Sequence, residues 1–255
     1  MLKSSVILFL ICLTAGPAQL VGQDSTSVSS GTASTGKNIY RKAWHAGFLI
    51  HTRGIGGHYR GEVFKGSRIK NFYAIEAYNI KHIKEQKSFN PSGDQSNSFI
   101  YGKMNQVYVF KGGIGRQSIM FEKLVLRGVQ ISSVVGANLL FALVKPVYVN
   151  VYRFEDERQV ESTERYNPYE HSYGQIIGRG PFLKGFGEAQ IIPGFGLKTA
   201  MNFEFAPTDE KIKAIEVGAN IDGFMKPLPL MAFNTQYSVQ LTLYVNFQFG
   251  KKSFL

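Results

Sequence analysis

The side chains in this sequence that are best suited to chemistry are five histidines and the charged residues near them. His45, His51 and His58 lie close together in the chain, near two arginines and Glu62. Neutral imidazole can bind a metal ion or act as a general base. A small β-barrel, however, must fill its interior with polar side chains that hydrogen-bond one another. We therefore expect a structural role for these histidines, and we predict no metal site.

His171 is a second candidate, because Ser172 follows it directly. A Ser/His pair can cleave peptides or lipid esters when a hydrogen bond joins the two side chains and a third group orients the base. Two adjacent residues in a long, irregular segment do not meet that requirement. The sequence therefore predicts no catalytic residue and no cofactor site, and a lipid- or peptide-cleaving enzyme is kept as an alternative.

The segment Tyr237–Phe249 shows what could position the polar residues. Its odd positions are apolar and its even positions can hydrogen-bond, which predicts a strand with one face of each kind. At roughly 3.3 Å per residue the strand is about 43 Å long, enough to cross a bilayer at a tilt. Its polar face carries Ser, Gln, Thr and Asn rather than the Lys and Glu of a solvated sheet. The side chains predicted to face lipid are Val239, Leu241, Leu243, Val245 and Phe247.

Similar alternation recurs over residues 43–250 and predicts an all-β fold. The expected architecture is an antiparallel, up-and-down transmembrane β-barrel of about ten strands, with eight to twelve allowed. This count places hairpin turns at Gly112–Gly113 and at residues 143–145, a barrel strand at 147–154, an irregular segment at 155–185 and a tail at 251–255. Short and long connections alternate, as in outer-membrane barrels, whereas a soluble β-sandwich has no reason to sort them.

Charged side chains fall mainly on the polar faces of these strands. Acids and bases are mixed there, so internal salt bridges that fill the barrel are expected rather than a wide channel, and a narrow channel remains an alternative. The predicted interior cluster consists of His45, His51, Arg53, His58, Arg60, Glu62, Glu76, Lys198, Glu204 and Glu216.

The N-terminal residues predict export. Residues 1–18 combine Lys3, an apolar run and a small-residue cleavage site, which is the pattern of a signal peptide, and residues 19–42 read as a disordered leader. The single cysteine, Cys12, would leave with the signal. The net charge of +11 suits contact with phosphate-rich membrane lipid, and a solvated basic surface is the alternative that composition leaves open. The expected partners are therefore outer-membrane lipid and, through residues 155–185, other envelope proteins, with no nucleic acid.

Five stretches of the sequence support this location. They are Asn79–Glu85, Tyr101–Gln117, Leu143–Tyr148, Pro193–Phe205 and Pro229–Asn234. These stretches resemble segments of exported outer-membrane barrel proteins of the Bacteroidota, a group that is largely uncharacterised. The resemblance implies a location and an architecture but no activity, and no functional residue carries over from it. The expected role is a structural or interaction component of the bacterial envelope.

Overall fold

The computed structural model describes residues 41–89, 98–123, 128–155, 158–206 and 210–253. Within these ranges the chain forms strands and two short 3-10 turns, at Tyr173–Gln175 and Phe186–Glu188. No helix among the described residues is long and apolar enough to cross a membrane. The strands are β1 (Lys42–His51), β2 (Gly54–Phe64), β3 (Ile69–Ile80), β4 (Asn105–Phe121), β5 (Gln130–Pro146), β6 (Tyr148–Glu155), β7 (Arg158–Arg165), β8 (Ile176–Arg179), β9 (Gln190–Glu204), β10 (Lys211–Phe224) and β11 (Val239–Ser253).

Eight of the strands close into an antiparallel barrel in the order β1-β2-β3-β4-β5-β9-β10-β11, and β11 pairs with β1. The predicted all-β antiparallel barrel is confirmed, with eight strands instead of about ten. Closure leaves no free edge in this sheet, so every barrel strand has a hydrogen-bonded neighbour on both sides. The soluble β-sandwich is excluded.

Both hairpins predicted in the middle of the chain are wrong. Gly112 and Gly113 lie inside β4, where they pair with Ile75 and Ala74 of β3 and with β5 on the other side. Neither glycine has a positive φ, so nothing in the local backbone requires a turn. Residues 143–145 likewise lie inside β5, which pairs with β4 as far as Pro146. Each error split a long strand or ended it early.

The predicted barrel strand at 147–154 is also wrong. This segment corresponds to β6, which leaves the barrel and pairs with β7 and β8 in a separate three-stranded sheet. Residues 155–185, expected to be irregular, contribute β7 and β8. Alternation shows that a strand has two different faces, but it does not show which strands are its neighbours. We call β6, β7 and β8, with the connections between them, the loop module.

The two ends of the barrel differ in the length of their connections. At the short-turn end β2 and β3, β4 and β5, and β9 and β10 are joined by connections of four to eight residues, and β1 starts and β11 finishes there. At the long-loop end β3 and β4, β5 and β9, and β10 and β11 are joined by much longer connections, and the two-residue turn between β1 and β2 is the exception. β1 includes Lys42 and β11 continues to Ser253, so residues 42 and 251–253 belong to the barrel rather than to leader or tail. The predicted signal and the leader as far as residue 40 lie outside the described residues.

Apolar side chains close the barrel at the long-loop end. They come from the inward faces of β4 and β5 and from the connection between β10 and β11, and each is at most 4% exposed. The backbone N–H of Met104 also donates to the carbonyl of Leu230 at 3.0 Å, which holds this connection across the opening. We call these side chains the upper apolar cluster, which comprises Val107, Val109, Leu140, Ala142, Val144, Leu228 and Leu230.

Candidate functional site

The eight described barrel strands direct all of their carboxylates inward. Five basic side chains of these strands point inward as well, so the charges that the strands direct into the barrel balance. The acids are Glu62, Glu76, Glu204, Glu216 and Asp222, and the bases are Arg60, Lys70, Lys111, Lys198 and Lys252. Charges buried in this way are tolerated when each one has a hydrogen-bonded partner of opposite sign.

Glu216 is the centre of the interior network. Arg60 places Nη1 2.7 Å from Glu216 Oε2, and its Nη2 donates to Oε1 at 3.0 Å. Lys198 Nζ lies 3.1 Å from Glu216 and 2.5 Å from Glu76. The Tyr244 hydroxyl donates to Glu216 at 2.8 Å. Arg60 and Glu216 are completely buried, so bulk water does not screen this attraction.

Two of the histidines form a chain of contacts between this centre and the short-turn end. Nε2 of His45 lies 3.1 Å from Glu62 Oε1, and Nδ1 of His45 lies 3.3 Å from Nε2 of His58. Lys70 binds the other oxygen of Glu62 at 3.1 Å. Such a His–His–carboxylate chain could move protons, but His45 is 1% exposed and His58 is 5% exposed. No substrate can approach either ring, and the arrangement packs the barrel.

Further ion pairs lie towards both ends. Near the long-loop end, Lys111 Nζ contacts both oxygens of Asp222, at 2.8 and 2.9 Å, and Tyr78 donates to the same carboxylate at 3.1 Å. Near the short-turn end, Glu204 accepts from Lys252 at 2.5 Å and from Lys123 at 3.4 Å. The network therefore runs along most of the barrel axis.

The structure brings together nine of the ten residues proposed for the interior cluster, and each is buried. Arg53 is not among them. It lies in the turn between β1 and β2, outside the strand register, and its Nε donates to the carbonyl of Lys81 at 3.3 Å. Lys70 and Lys111 also belong to the cluster, although they were not predicted to. Both occupy the inward register of their strands, and this register was the signal that could have identified them.

The outward face of the barrel is apolar between its two ends. Leu241 and Leu243 are 67% and 59% exposed, and Val239 and Phe247 are also exposed, while Val245 is half-buried. Neighbouring strands continue this surface around the barrel with exposed large apolar side chains, among them Phe48, Ile75, Ile114, Val135, Leu197 and Ile221. Trp44 and Tyr59 stack on the same surface with ring centroids 6.5 Å apart. We call this surface the apolar belt.

The loop module has a small core of its own. Val149, Val151, Tyr166 and Ile176 are buried there together with Phe99. Residues of this core come from β6, β8 and the segments beside them. The loop module is therefore an ordered unit at the long-loop end.

His171 lies beside this core and has a partner at each ring nitrogen. Nε2 is 3.3 Å from Glu164 Oε2, and Nδ1 accepts from the backbone N–H of Asn167 at 3.1 Å. Burial raises the pKa of Glu164, but hydrogen bonds from His171 and Ser162 and the charge of Arg153 outweigh it, so the pKa lies below its usual value. Both ring nitrogens of His171 are therefore engaged by these two partners.

No three His, Cys, Asp or Glu side chains of the described residues are grouped so that they could hold a metal ion. The sequence matches no family model and no curated protein. The solved structures that match this chain include the following two. Ail, the attachment invasion locus protein of Yersinia pestis, has 8% identity and a TM-score of 0.41 over 84% of this chain and 100% of its own. Neisserial surface protein A (NspA) has 10% identity and a TM-score of 0.36 over 83% and 94%. Similarity at this level identifies neither a ligand nor an activity.

Proposed function

We propose that this protein is an outer-membrane β-barrel that serves as a structural or interaction component of the bacterial envelope. The observation that carries the proposal is the distribution of side chains on the eight barrel strands, with all of their carboxylates and five basic groups inside and large apolar residues around the outside. In water each Å² of exposed apolar surface costs about 25 cal/mol, so a continuous belt of Phe, Leu and Ile requires an apolar medium. A closed barrel also pairs its backbone groups within the protein, as hydrocarbon surroundings demand.

The lengths of the connections give the orientation. Outer-membrane barrels have short periplasmic turns and longer extracellular loops. The short-turn end therefore faces the periplasm, and the long-loop end with the loop module faces the outside of the cell.

The side chains inside the barrel argue against the alternative of a narrow channel. The central ion pairs are almost completely buried, and the upper apolar cluster covers them at the long-loop end. Passage of an ion would require pairs such as Arg60–Glu216 to separate without water to replace them, which is costly.

The loop module is the proposed contact surface for other envelope proteins. It stands beyond the barrel, and residues 155–185 supply most of it. Its surface carries exposed apolar and aromatic side chains, among them Tyr169 at 84% exposed and Val160 at 43%. Tyr169 packs against Phe233 of the connection between β10 and β11, with ring centroids 5.5 Å apart. Aromatic side chains of this kind are enriched where proteins bind one another.

Membrane fractionation of the expressing bacterium tests the proposal. The protein should stay with the outer-membrane fraction through a carbonate wash, because the apolar belt is embedded in lipid. It should also migrate faster on SDS gels before boiling than after, since the closed barrel resists the detergent. Release by carbonate would contradict a membrane location.

Two further measurements address the alternatives. Purified protein in planar bilayers should show no stable conductance, and a reproducible single-channel step would favour the channel. The lipid composition of cells that carry His171→Ala should match that of the wild type. A lipid change that depends on His171 would favour the enzyme.

A further inference from the structure

A cavity of about 590 Å³ opens on the outside of the barrel near the long-loop end. Two outward-facing residues, Gln106 of β4 and Lys145 of β5, contribute to its wall. The rest of the wall comes from β6, from β8 and the residues after it, and from the connection between β3 and β4. Small-molecule sites in proteins have volumes of about 300–1,000 Å³, so the cavity is large enough for a ligand.

The lining of this cavity is strongly basic. Lys87, Lys103, Lys145 and Arg179 all contribute to it, and none of the described lining residues is acidic. Two carboxylates contact lining residues from outside the wall. Glu85 lies 2.6 Å from Lys103, which it neutralises, and Glu188 accepts from the Tyr148 hydroxyl and lies 3.5 Å from Arg165. An anion would therefore meet a positive potential here.

Lys145 makes the strongest case for an anionic ligand. It is 4% exposed, although it points away from the barrel axis. Its ammonium group donates to the carbonyl of Phe182 and lies 4.5 and 4.6 Å from the ring centroids of Phe182 and Phe186. These partners are neutral, and Arg179 adds a repulsive positive charge nearby. A buried cation with neutral neighbours is costly, and an anion in the cavity would compensate for it.

The position of the cavity along the barrel axis indicates which kind of anion could reach it. On β5 the exposed outward residues Leu139 and Phe141 belong to the apolar belt, and Lys145 lies four residues beyond Phe141, about 13 Å along the strand. On β4 the outward face changes in the same direction, from exposed Phe110 to half-buried Gln106. The cavity thus begins where the belt ends, at the level of lipid headgroups.

An apolar groove lies lower on the same face. Its volume is about 400 Å³, and outward-facing Leu139, Phe141 and Phe195 are among its lining residues. A ligand whose charge contacts Lys145 could place a hydrocarbon chain along β5 towards this groove. A basic site above an apolar surface suits an amphiphile.

We propose that the cavity binds the phosphate group of an anionic lipid of the outer leaflet, with Lys145 and Arg179 as its principal contacts. The proposal rests on the proposed membrane location. Free phosphate has the same charge and donor requirements, so the experiment must separate it from lipid.

Native mass spectrometry of the purified full-length protein in a maltoside detergent provides the test. The probes are dioctanoyl phosphatidic acid, inorganic phosphate and dioctanoylglycerol, which lacks the phosphate. The variants are Lys145→Gln and Arg179→Gln, with Lys226→Gln, an exposed lysine of the connection between β10 and β11, as the matched control. Because Lys145 is buried and its replacement could impair folding, exposed Arg179 is the deciding position.

One phosphatidic acid should bind per barrel, and Arg179→Gln should weaken binding about tenfold, as expected for the loss of a charge-assisted contact. Lys226→Gln should leave binding unchanged, and dioctanoylglycerol should not bind. Inorganic phosphate that binds as tightly as the lipid would overturn the lipid assignment. Equal losses in Arg179→Gln and Lys226→Gln would overturn the site. Insertion into vesicles is measured separately, so protein that inserts but does not bind refutes this inference alone.

Discussion

Strands β4 and β5 direct different kinds of side chain into the barrel at their two ends. Through most of their length, polar groups such as Lys111 and Asn138 point into the barrel and apolar groups point outward. Near the long-loop end, Val109 and Ala142 point inward and are buried, as in a water-soluble protein. The change takes place within two residues on each strand. The change inside the barrel lies beside Phe110 and Phe141, which are still exposed apolar residues of the outward face, and the basic cavity lies on the outside about 13 Å further along β5.

The part of the barrel with a charged interior should be the most sensitive to the loss of one charge. Glu216→Gln leaves Arg60 and Lys198 buried without their shared carboxylate, which should lower the free energy of unfolding by about 3–5 kcal/mol. Urea unfolding in lipid vesicles measures this change. Glu170→Gln, at an exposed position of the loop module, should cost less than about 0.5 kcal/mol. Equal values for the two variants would show that the interior network does not stabilise the barrel.

The upper apolar cluster should respond as an ordinary protein core does. Leu230→Ala removes a side chain that is 4% exposed, and the cavity left behind should cost about 3 kcal/mol. Leu183→Ala, at a position 77% exposed, is the matched control and should be nearly neutral. If the control cost as much as Leu230→Ala, the connection between β10 and β11 would not be packed into the barrel opening.

The apolar belt should resist charge most strongly at its middle. Leu243→Lys places an ammonium near the centre of the outward face of β11 and should cost about 2–3 kcal/mol, whereas Phe249→Lys, nearer the short-turn end, should cost about 0–1 kcal/mol. The same unfolding measurement in vesicles gives both values. A cost that does not depend on position would contradict a bilayer around the strand.

The smallest expected effect concerns the loop module and depends on pH. The folded state lowers the pKa of Glu164, so its carboxylate contributes stability above the usual carboxyl pKa, and this contribution is lost as pH falls through the lowered value. The carboxylate is partly exposed, so the contribution should stay below about 1 kcal/mol. Hydrogen exchange of β7 between pH 3 and 7 measures it. Glu164→Gln should abolish this pH dependence, and an unchanged profile would assign it to another group.

Much of the barrel could be predicted from the sequence because alternation directly reports the environment of each face. In β10 and β11, most side chains that alternation places inside the barrel are buried, and those that it places outside are exposed or half-buried. Alternation failed where pairing decides the outcome. Gly112–Gly113 has the composition of a turn, but intact ladders on both sides keep it extended. β6 alternates like a barrel strand, yet its partners β7 and β8 lie outside the barrel.

The basic cavity was beyond sequence reasoning for a related reason. Three of its basic residues are far apart in the chain, namely Lys87, Lys145 and Arg179. They line one cavity only because β6 leaves the barrel and β8 pairs with β6. One signal was present in the sequence. Lys145 continues the outward register of Leu139 and Phe141, so a charge follows an apolar face. Reading residues 143–145 as a turn concealed it.

Spin-label accessibility along β11 tests the central claim most directly. Single cysteines at each position from 239 to 249, in a Cys12→Ser background, would carry the label in protein reconstituted into vesicles. We predict high accessibility to oxygen at Leu241, Leu243 and Phe247, low accessibility to a water-soluble nickel complex at these positions, and low values of both at the positions between. Low accessibility to oxygen at these three positions, or high accessibility to the nickel complex, would contradict contact between this face and lipid.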